Sequence, residues 1–146
     1  MARDLPILIG IPNSIRDFHK TIDDVVRIIR VRHPRNKKVM LEIPCYPVPD
    51  KYMLKDNGFY LVFEGIAHYL NGIGAQIVFG DSKELIKNSQ VSKDDFNEWK
   101  QIEIKRAEHL LNESEKEKPR IIIVSNTASS YLKRRLKCQY YPLSSI

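Results

Sequence analysis

Short, continuously apolar segments alternate with amphipathic segments along this chain, and that alternation restricts its fold more than any other feature. In residues 5–17 the apolar run Ile7–Ile11 is followed by Pro12 and by the start of a helical pattern. Continuous apolar runs of this length are typical of strands that are covered on both faces. The same order recurs in residues 121–127, where Ile-Ile-Ile-Val precedes Ser-Asn-Thr.

The same order of strand, turn and helix repeats along the whole chain. We predict strands at 7–11, 39–43, 75–79, 121–124 and, at the edge, 139–141, with helical patterns between them. Such alternation implies parallel strands joined by right-handed crossovers. The sequence therefore predicts one α/β domain over residues 1–146, a three-layer αβα (Rossmann-like) fold with a mainly parallel sheet of four or five strands.

The helix starts are predicted from residues that favour capping. Ser14 is expected to cap the first helix, with Asp17 in its first turn, and Ser82 to cap a short helix. Asn126 or Thr127 is expected to cap the last one. A long helix opens at 92–95, and its inner face is predicted from apolar spacing: Phe96, Trp99, Ile102, Ala107, Leu110 and Leu111.

The composition indicates in which cellular compartment the protein is expected. No apolar run reaches the ~18 residues that a membrane span requires, and the first residues do not resemble a secretory signal. Cys45 and Cys138 lack CxxC spacing, which favours two free thiols in a reducing compartment. We therefore expect a cytoplasmic protein without membrane contact. The abundance of Ile, Lys and Glu also resembles the composition of thermophile proteins.

Polar side chains follow each predicted strand, and parallel strands bring such residues to one edge of the sheet. Glu42 and Asp81 are the candidate catalytic residues, because paired carboxylates can act as acid and base. Helix starts at this edge attract anions. The predicted ligand is an anionic small molecule such as a nucleotide or phosphorylated metabolite. It is expected to bind to Asn13, Ser14, Ser82, Ser125, Asn126 and Thr127. Two alternatives remain open: the protein also hydrolyses the ligand, or these residues serve only as structural helix caps.

Other site chemistries have less support in the sequence. No histidine lies in the strand-end set, which argues against zinc, and the cofactor stays unspecified. Glu64 and His68 share a helix face and form either a surface pair or a metal site. Cys45 has no assigned histidine partner for nucleophilic catalysis. The remaining histidines, at 19, 33 and 109, are expected at solvent-facing or helix-end positions, and residues 45–52 are expected to form a flap over the site.

Basic residues suggest alternative functions. The net charge is +6, and two clusters stand out: Arg27, Arg30, Arg32, Arg35, Lys37 and Lys38, then Lys133, Arg134, Arg135 and Lys137. Either these form a solvated basic face or they bind the phosphates of nucleic acid, in an accessory protein. A third alternative is a non-enzymatic assembly module in which Tyr140 and Tyr141 of an edge strand pair between subunits; a homo-oligomer is expected.

Two segments resemble the TraB/PrgY and ChaN-type α/β families, in which a strand ending in Gly-x-x-His precedes a helix and then a strand that carries Glu. The matching residues are Gly10 to Asn13 and residues 39–42, and residues 121–132 resemble the later strand–turn–helix of these families. The resemblance implies that Glu42 is a site residue; metal-dependent hydrolysis is inferred for some members of these families. Asn13 stands where the families have their histidine, and a second histidine is missing near Ala128.

Overall fold

Five parallel strands form one sheet within residues 5–12, 15–49, 59–91 and 94–143, which the computed structural model describes. Their spatial order is β3-β2-β4-β1-β5. The predicted three-layer, Rossmann-like α/β fold is confirmed, and all the described strands are parallel. The strands are β1 (Ile7–Ile11), β2 (Lys38–Leu41), β3 (Gln76–Phe79), β4 (Ile121–Ser125) and β5 (Gln139–Pro142).

Helices cover both faces of this sheet. Alternate side chains of β1 divide between the two cores: Ile7, Ile9 and Ile11 pack with α1 and α2, whereas Leu8 packs with α4 and α5. This division follows from the two-residue period of a strand, which points successive side chains to opposite faces. The helices are α1 (Phe18–Arg30), α2 (Phe59–Gly72), α3 (Lys83–Val91), α4 (Phe96–Glu117) and α5 (Asn126–Leu132).

The register of the sheet places the ends of β2, β3 and β4 side by side. Leu41 pairs with Phe79 on one side and with Ile123 on the other. The residues that follow these strands therefore leave the same edge of the sheet, as expected for parallel strands. Glu42 follows β2, which ends two residues earlier than the predicted segment 39–43.

Two predicted helix caps are wrong. Asp17, not Ser14, caps α1: its backbone is extended and its carboxylate accepts the Lys20 N–H at 3.0 Å, so the helix begins at Phe18. Ser125, not Asn126 or Thr127, caps α5 by accepting the Ala128 N–H at 3.1 Å. In both segments several neighbouring residues favour capping. The cap is the residue whose backbone is still extended just before the helix begins.

The predicted inner face of α4 is correct only beyond its first turns. Ile102, Ala107 and Leu110 are buried, but Phe96 is 67% exposed and its ring contacts the half-buried Trp99. A helix of 22 residues spans about 33 Å, whereas a five-residue strand spans about 17 Å. The first turns of α4 therefore extend beyond the sheet that buries the rest of the helix.

Among the helices of the described residues, none combines the length and the apolar composition that a membrane-spanning segment needs.

Candidate functional site

An arginine on α4 joins the two predicted catalytic carboxylates at the carboxyl edge of the sheet. Arg106 Nη2 lies 2.6 Å from Asp81 Oδ2 and 3.4 Å from Glu42 Oε2. Arg106 Nε also donates to Asp81 Oδ1 at 3.3 Å. The structure thus brings Glu42 and Asp81 into one cluster, as the sequence predicted, around a guanidinium that the sequence analysis did not select.

Two further residues complete the cluster around Arg106. Its Nη1 donates to both oxygens of Glu103, at 3.0 and 3.3 Å. Ser89, from α3, donates its hydroxyl to Glu103 Oε1 at 2.6 Å. The cluster therefore links the ends of β2 and β3 to α3 and α4 through charge-assisted hydrogen bonds, which are stronger than neutral ones.

Glu42 is buried, and its second oxygen accepts the backbone N–H of Ser125 at 2.9 Å. Burial is the largest influence on this carboxyl and raises its pKa from 4.5 to about 7; Arg106 opposes that rise and Asp81 adds to it. A carboxyl group with a pKa near neutral pH can both give and take a proton, which suits acid–base chemistry.

The charges of the cluster do not balance. Three carboxylates contact one guanidinium, so the four side chains carry a net charge of −2 when all are ionised. Burial opposes the charge of Arg106, but Asp81 and Glu42 raise its pKa well above the usual value. Arg106 therefore stays cationic, and the raised pKa of Glu42 favours neutralising one of the negative charges near neutral pH.

The helix-start donors predicted to bind an anion already contact carboxylates of the protein. Ser82 N–H donates to Asp81 Oδ1 at 2.8 Å, and Ser125 N–H donates to Glu42. Ser82 also caps α3, as predicted, because its hydroxyl accepts the Leu85 N–H at 3.3 Å. Thr127 is exposed beside them. Asn13 and Ser14 lie outside the described residues.

Asn126 packs against the backbone of β1 at the same edge. A Cβ atom on Gly10 would lie 2.4 Å from Asn126 Oδ1 and 2.7 Å from Ser129 Oγ, so only glycine allows this approach. Asn126 Nδ2 donates to Leu143 O at 3.4 Å, and no described donor reaches the buried Oδ1. The requirement for glycine at the end of β1 is therefore one of packing.

Glu64 and His68 do not bind each other but hold the segment after β2 against α2. Glu64 Oε2 accepts the Val48 N–H at 2.9 Å, and His68 Nδ1 lies 3.4 Å from the Tyr46 hydroxyl. Among the described residues, no group of three or more His, Cys, Asp and Glu side chains could hold a metal ion. Residues 50–52 of the predicted flap lie outside the described residues.

His109 and Cys45 also have specific contacts. His109 is half-buried, not solvent-facing as expected, and its Nδ1 lies 2.8 Å from Gly80 O, just before Asp81. Cys45 Sγ contacts the carbonyl oxygen of Pro47 at 3.7 Å. Neither contact brings a histidine to the Cys45 thiol.

The predicted nucleic-acid residues lie around the amino ends of β1 and β5. Arg32 donates to the Gln139 side chain and, at 3.4 Å, to the Tyr141 hydroxyl. Lys133 Nζ lies 5.2 Å from the centre of the Tyr140 ring, and Arg135 stacks on Tyr131 at 3.6 Å. Arg30 and Arg134 are exposed.

Arg106 was the main residue that the sequence analysis missed, although the sequence carries a signal for it. It stands four residues after Ile102 and four before Leu110, both of which are buried. A charged residue in the middle of an apolar stripe needs a buried partner of opposite charge. The strand-end carboxylates Glu42 and Asp81 are such partners.

Comparison with known proteins identifies no relative of this chain. The chain matches no protein-family model, no curated protein and no solved structure. The resemblance to the TraB/PrgY and ChaN-type families therefore stays a prediction.

Proposed function

We propose that this protein binds a nucleotide or a similar phosphorylated, hydroxyl-rich metabolite at the carboxyl edge of the sheet, and that Glu42 exchanges a proton when the ligand binds. The observation that carries the proposal is the position of Glu42, between the Arg106 guanidinium and the Ser125 N–H at the end of a parallel strand. Ligands of open α/β sheets bind at this edge.

The charge of the cluster restricts how such a ligand binds. A bare anion would approach three carboxylates and a single guanidinium, which opposes binding. Carboxylates at strand ends instead accept hydrogen bonds from hydroxyl groups, as in the recognition of ribose. We therefore expect a sugar hydroxyl to contact Glu42, whose carboxyl when protonated donates its O–H to the hydroxyl oxygen, and the phosphate to lie farther along the edge, near the end of β1.

Protonation of Glu42 couples binding to pH. A negatively charged ligand near Glu42 stabilises the protonated carboxyl and raises its pKa further. Binding then takes up a proton, so the affinity falls as the pH rises through the pKa of free Glu42, about 7. Glu42→Gln keeps a neutral side chain of the same shape and removes this dependence.

Calorimetric titration with nucleoside monophosphates at several pH values between about 6 and 8 tests this proposal. We expect binding to the native protein to weaken with pH more steeply than binding to Glu42→Gln, whose remaining pH dependence comes from the ligand phosphate with its second pKa of about 6. Inorganic phosphate should bind much more weakly than a nucleotide. Glu108→Gln, which changes an exposed carboxylate on α4, is the matched control and should behave as the native protein does. Binding that is absent at every pH, or equally pH-dependent in Glu42→Gln, would contradict the proposal.

Hydrolysis of the bound ligand is a second candidate function, favoured by the near-neutral pKa of Glu42 beside the buried Asp81. In that case Glu42 acts as the proton-transferring group and Asp81 orients Arg106. The test is release of phosphate from nucleotides and phosphomonoesters by the purified protein. We expect Glu42→Gln to abolish turnover while the ligand still binds; unchanged turnover would exclude Glu42 as the acid–base group.

A further inference from the structure

A groove lies between the C-terminal end of α1 and the edge strand β5, away from the carboxylate cluster. Its volume is about 510 Å³, which is within the size range of small-ligand sites. Five side chains line it: Arg27, Ile28, Val31, Arg32 and Tyr141. The groove thus combines two guanidinium groups, two aliphatic side chains and one aromatic ring.

The two arginines of the groove are held differently. Arg32 is fixed against β5 because its Nη2 donates to Gln139 and Tyr141. The side chain of Arg27 is 80% exposed, and its nearest carboxylate oxygen, on Asp24, is 4.0 Å away. Asp24 also binds Lys20 at 3.2 Å, so Arg27 is only weakly neutralised.

The apolar part of the groove is open to solvent. Val31 is 71% exposed and Tyr141 is 37% exposed, whereas Ile28 packs partly against the core. An aliphatic and aromatic floor beside exposed guanidinium groups is the combination that binds a nucleobase together with its phosphates. Cations close to apolar surface favour a polyanion with aromatic groups over a purely apolar partner.

Basic side chains also lie on the opposite face of β5. Lys133 is placed over the ring of Tyr140, whose hydroxyl lies 2.8 Å from the Ser129 hydroxyl on that face. Arg134 and Lys137, just before β5, are exposed. Basic groups therefore flank the edge strand on both sides and extend the positive surface beyond the groove.

We propose that this groove binds single-stranded nucleic acid. One base lies against Val31 and the Tyr141 ring, and the adjoining phosphates contact Arg27 and Arg32. A duplex keeps its bases stacked inside and would offer the apolar floor nothing to bind. The site is independent of the function proposed for Glu42, because no residue is shared between them.

Fluorescence anisotropy with a labelled oligouridylate and a labelled oligothymidylate of about 12 nucleotides tests the proposal. We expect affinity to fall as salt is raised. Arg27→Gln should weaken binding about 5-fold or more, and Tyr141→Ala by about 5- to 100-fold through loss of stacking. Tyr141→Phe keeps the ring and should bind within about 2-fold of the native protein.

The matched control is Lys87→Gln, which removes one exposed positive charge from α3. It should change affinity by less than about 2-fold, since a charge distant from the bound phosphates contributes little. Equal losses in Lys87→Gln and Arg27→Gln would indicate attraction by net charge alone and overturn the proposal. Undetectable binding at low salt, or a blunt-ended duplex without a loop bound as tightly as the single strand, would overturn it as well.

Discussion

Arg106 on α4 binds Asp81 at the end of β3 through two N–H groups, with Nη2 2.6 Å from Oδ2 and Nε 3.3 Å from Oδ1. This forked contact fixes the orientation of the guanidinium as well as its position. The same Nη2 reaches Glu42 at 3.4 Å. One side chain from a helix therefore sets the electrostatic environment of two strand-end carboxylates.

Removal of this guanidinium should strongly destabilise the fold. Arg106→Met leaves Glu42, Asp81 and Glu103 without their shared cation, and loss of one partner from a buried ion pair costs about 3–5 kcal/mol. Urea unfolding measures the change in the free energy of unfolding. Lys105→Met, at the exposed neighbouring position, should change it by less than about 0.5 kcal/mol.

A second substitution separates charge from packing in that result. Asp81→Asn, added to Arg106→Met, removes one of the unpaired buried charges and should recover part of the lost stability. If the double variant is as unstable as Arg106→Met alone, the loss comes from the missing side-chain volume and not from unpaired charge.

Stability should depend on pH through Glu42. Its pKa is about 7 in the folded protein and 4.5 in the unfolded chain, so between these values the folded state holds the extra proton. The stabilisation from this proton is complete below pH 4.5 and is lost as the pH rises through about 7. The loss amounts to about 3 kcal/mol.

The comparison with Glu42→Gln isolates this contribution. We expect the free energy of unfolding of the native protein to fall, relative to that of Glu42→Gln, as the pH is raised over this interval. Chemical denaturation at matched pH values measures the difference. Parallel pH profiles for the two proteins would show that Glu42 has no raised pKa.

Much of this site follows from the order of residues along the chain. Apolar runs predicted the strands, and parallel strands place Glu42, Asp81 and Ser125 at one edge. Arg106 was missed because its strand-end partners Glu42 and Asp81 are 64 and 25 residues away, and a stripe pattern does not say which distant charge a helix will contact. Phe96 was wrongly assigned to the core because periodicity gives the face of a helix but not how far the sheet extends beneath it.

Gly10 should tolerate no side chain. In Gly10→Ala the new Cβ would lie 2.4 Å from Asn126 Oδ1, and such crowding in a packed region costs about 1–3 kcal/mol. Gly72→Ala is the control, because a Cβ there meets no atom within 4 Å and a helical alanine is favourable. Thermal unfolding of the two variants measures the contrast; equal effects would rule out the close approach of α5 to β1.

Ser125 has two roles that one substitution separates. Ser125→Ala removes the hydroxyl that accepts the Ala128 N–H and should cost about 1 kcal/mol, but its own N–H still donates to Glu42. The pH dependence of stability should remain, with its midpoint moved upward, because the hydroxyl also lowers the pKa of Glu42. Disappearance of the pH dependence in Ser125→Ala would contradict this assignment.

Helix caps show where local sequence was insufficient. Ser14 and Asp17 are both good capping residues, as are Ser125, Asn126 and Thr127. For α5 the choice follows from pairing in the sheet, because Ser125 is the last paired residue of β4, whereas β1 ends at Ile11, well before Asp17. The carboxylate pair itself needed no such detail, since Glu42 and Asp81 each follow a strand directly or within two residues.

A carbon-13 NMR titration of the side-chain carboxyl groups tests whether Glu42 exchanges a proton near neutral pH. The signal that is absent from Glu42→Gln identifies Glu42. We expect this carbon to titrate with an apparent pKa of about 7. A titration near the ordinary value of 4.5 would contradict the account, because Glu42 would then remain a carboxylate throughout the neutral range and could not couple ligand binding to pH.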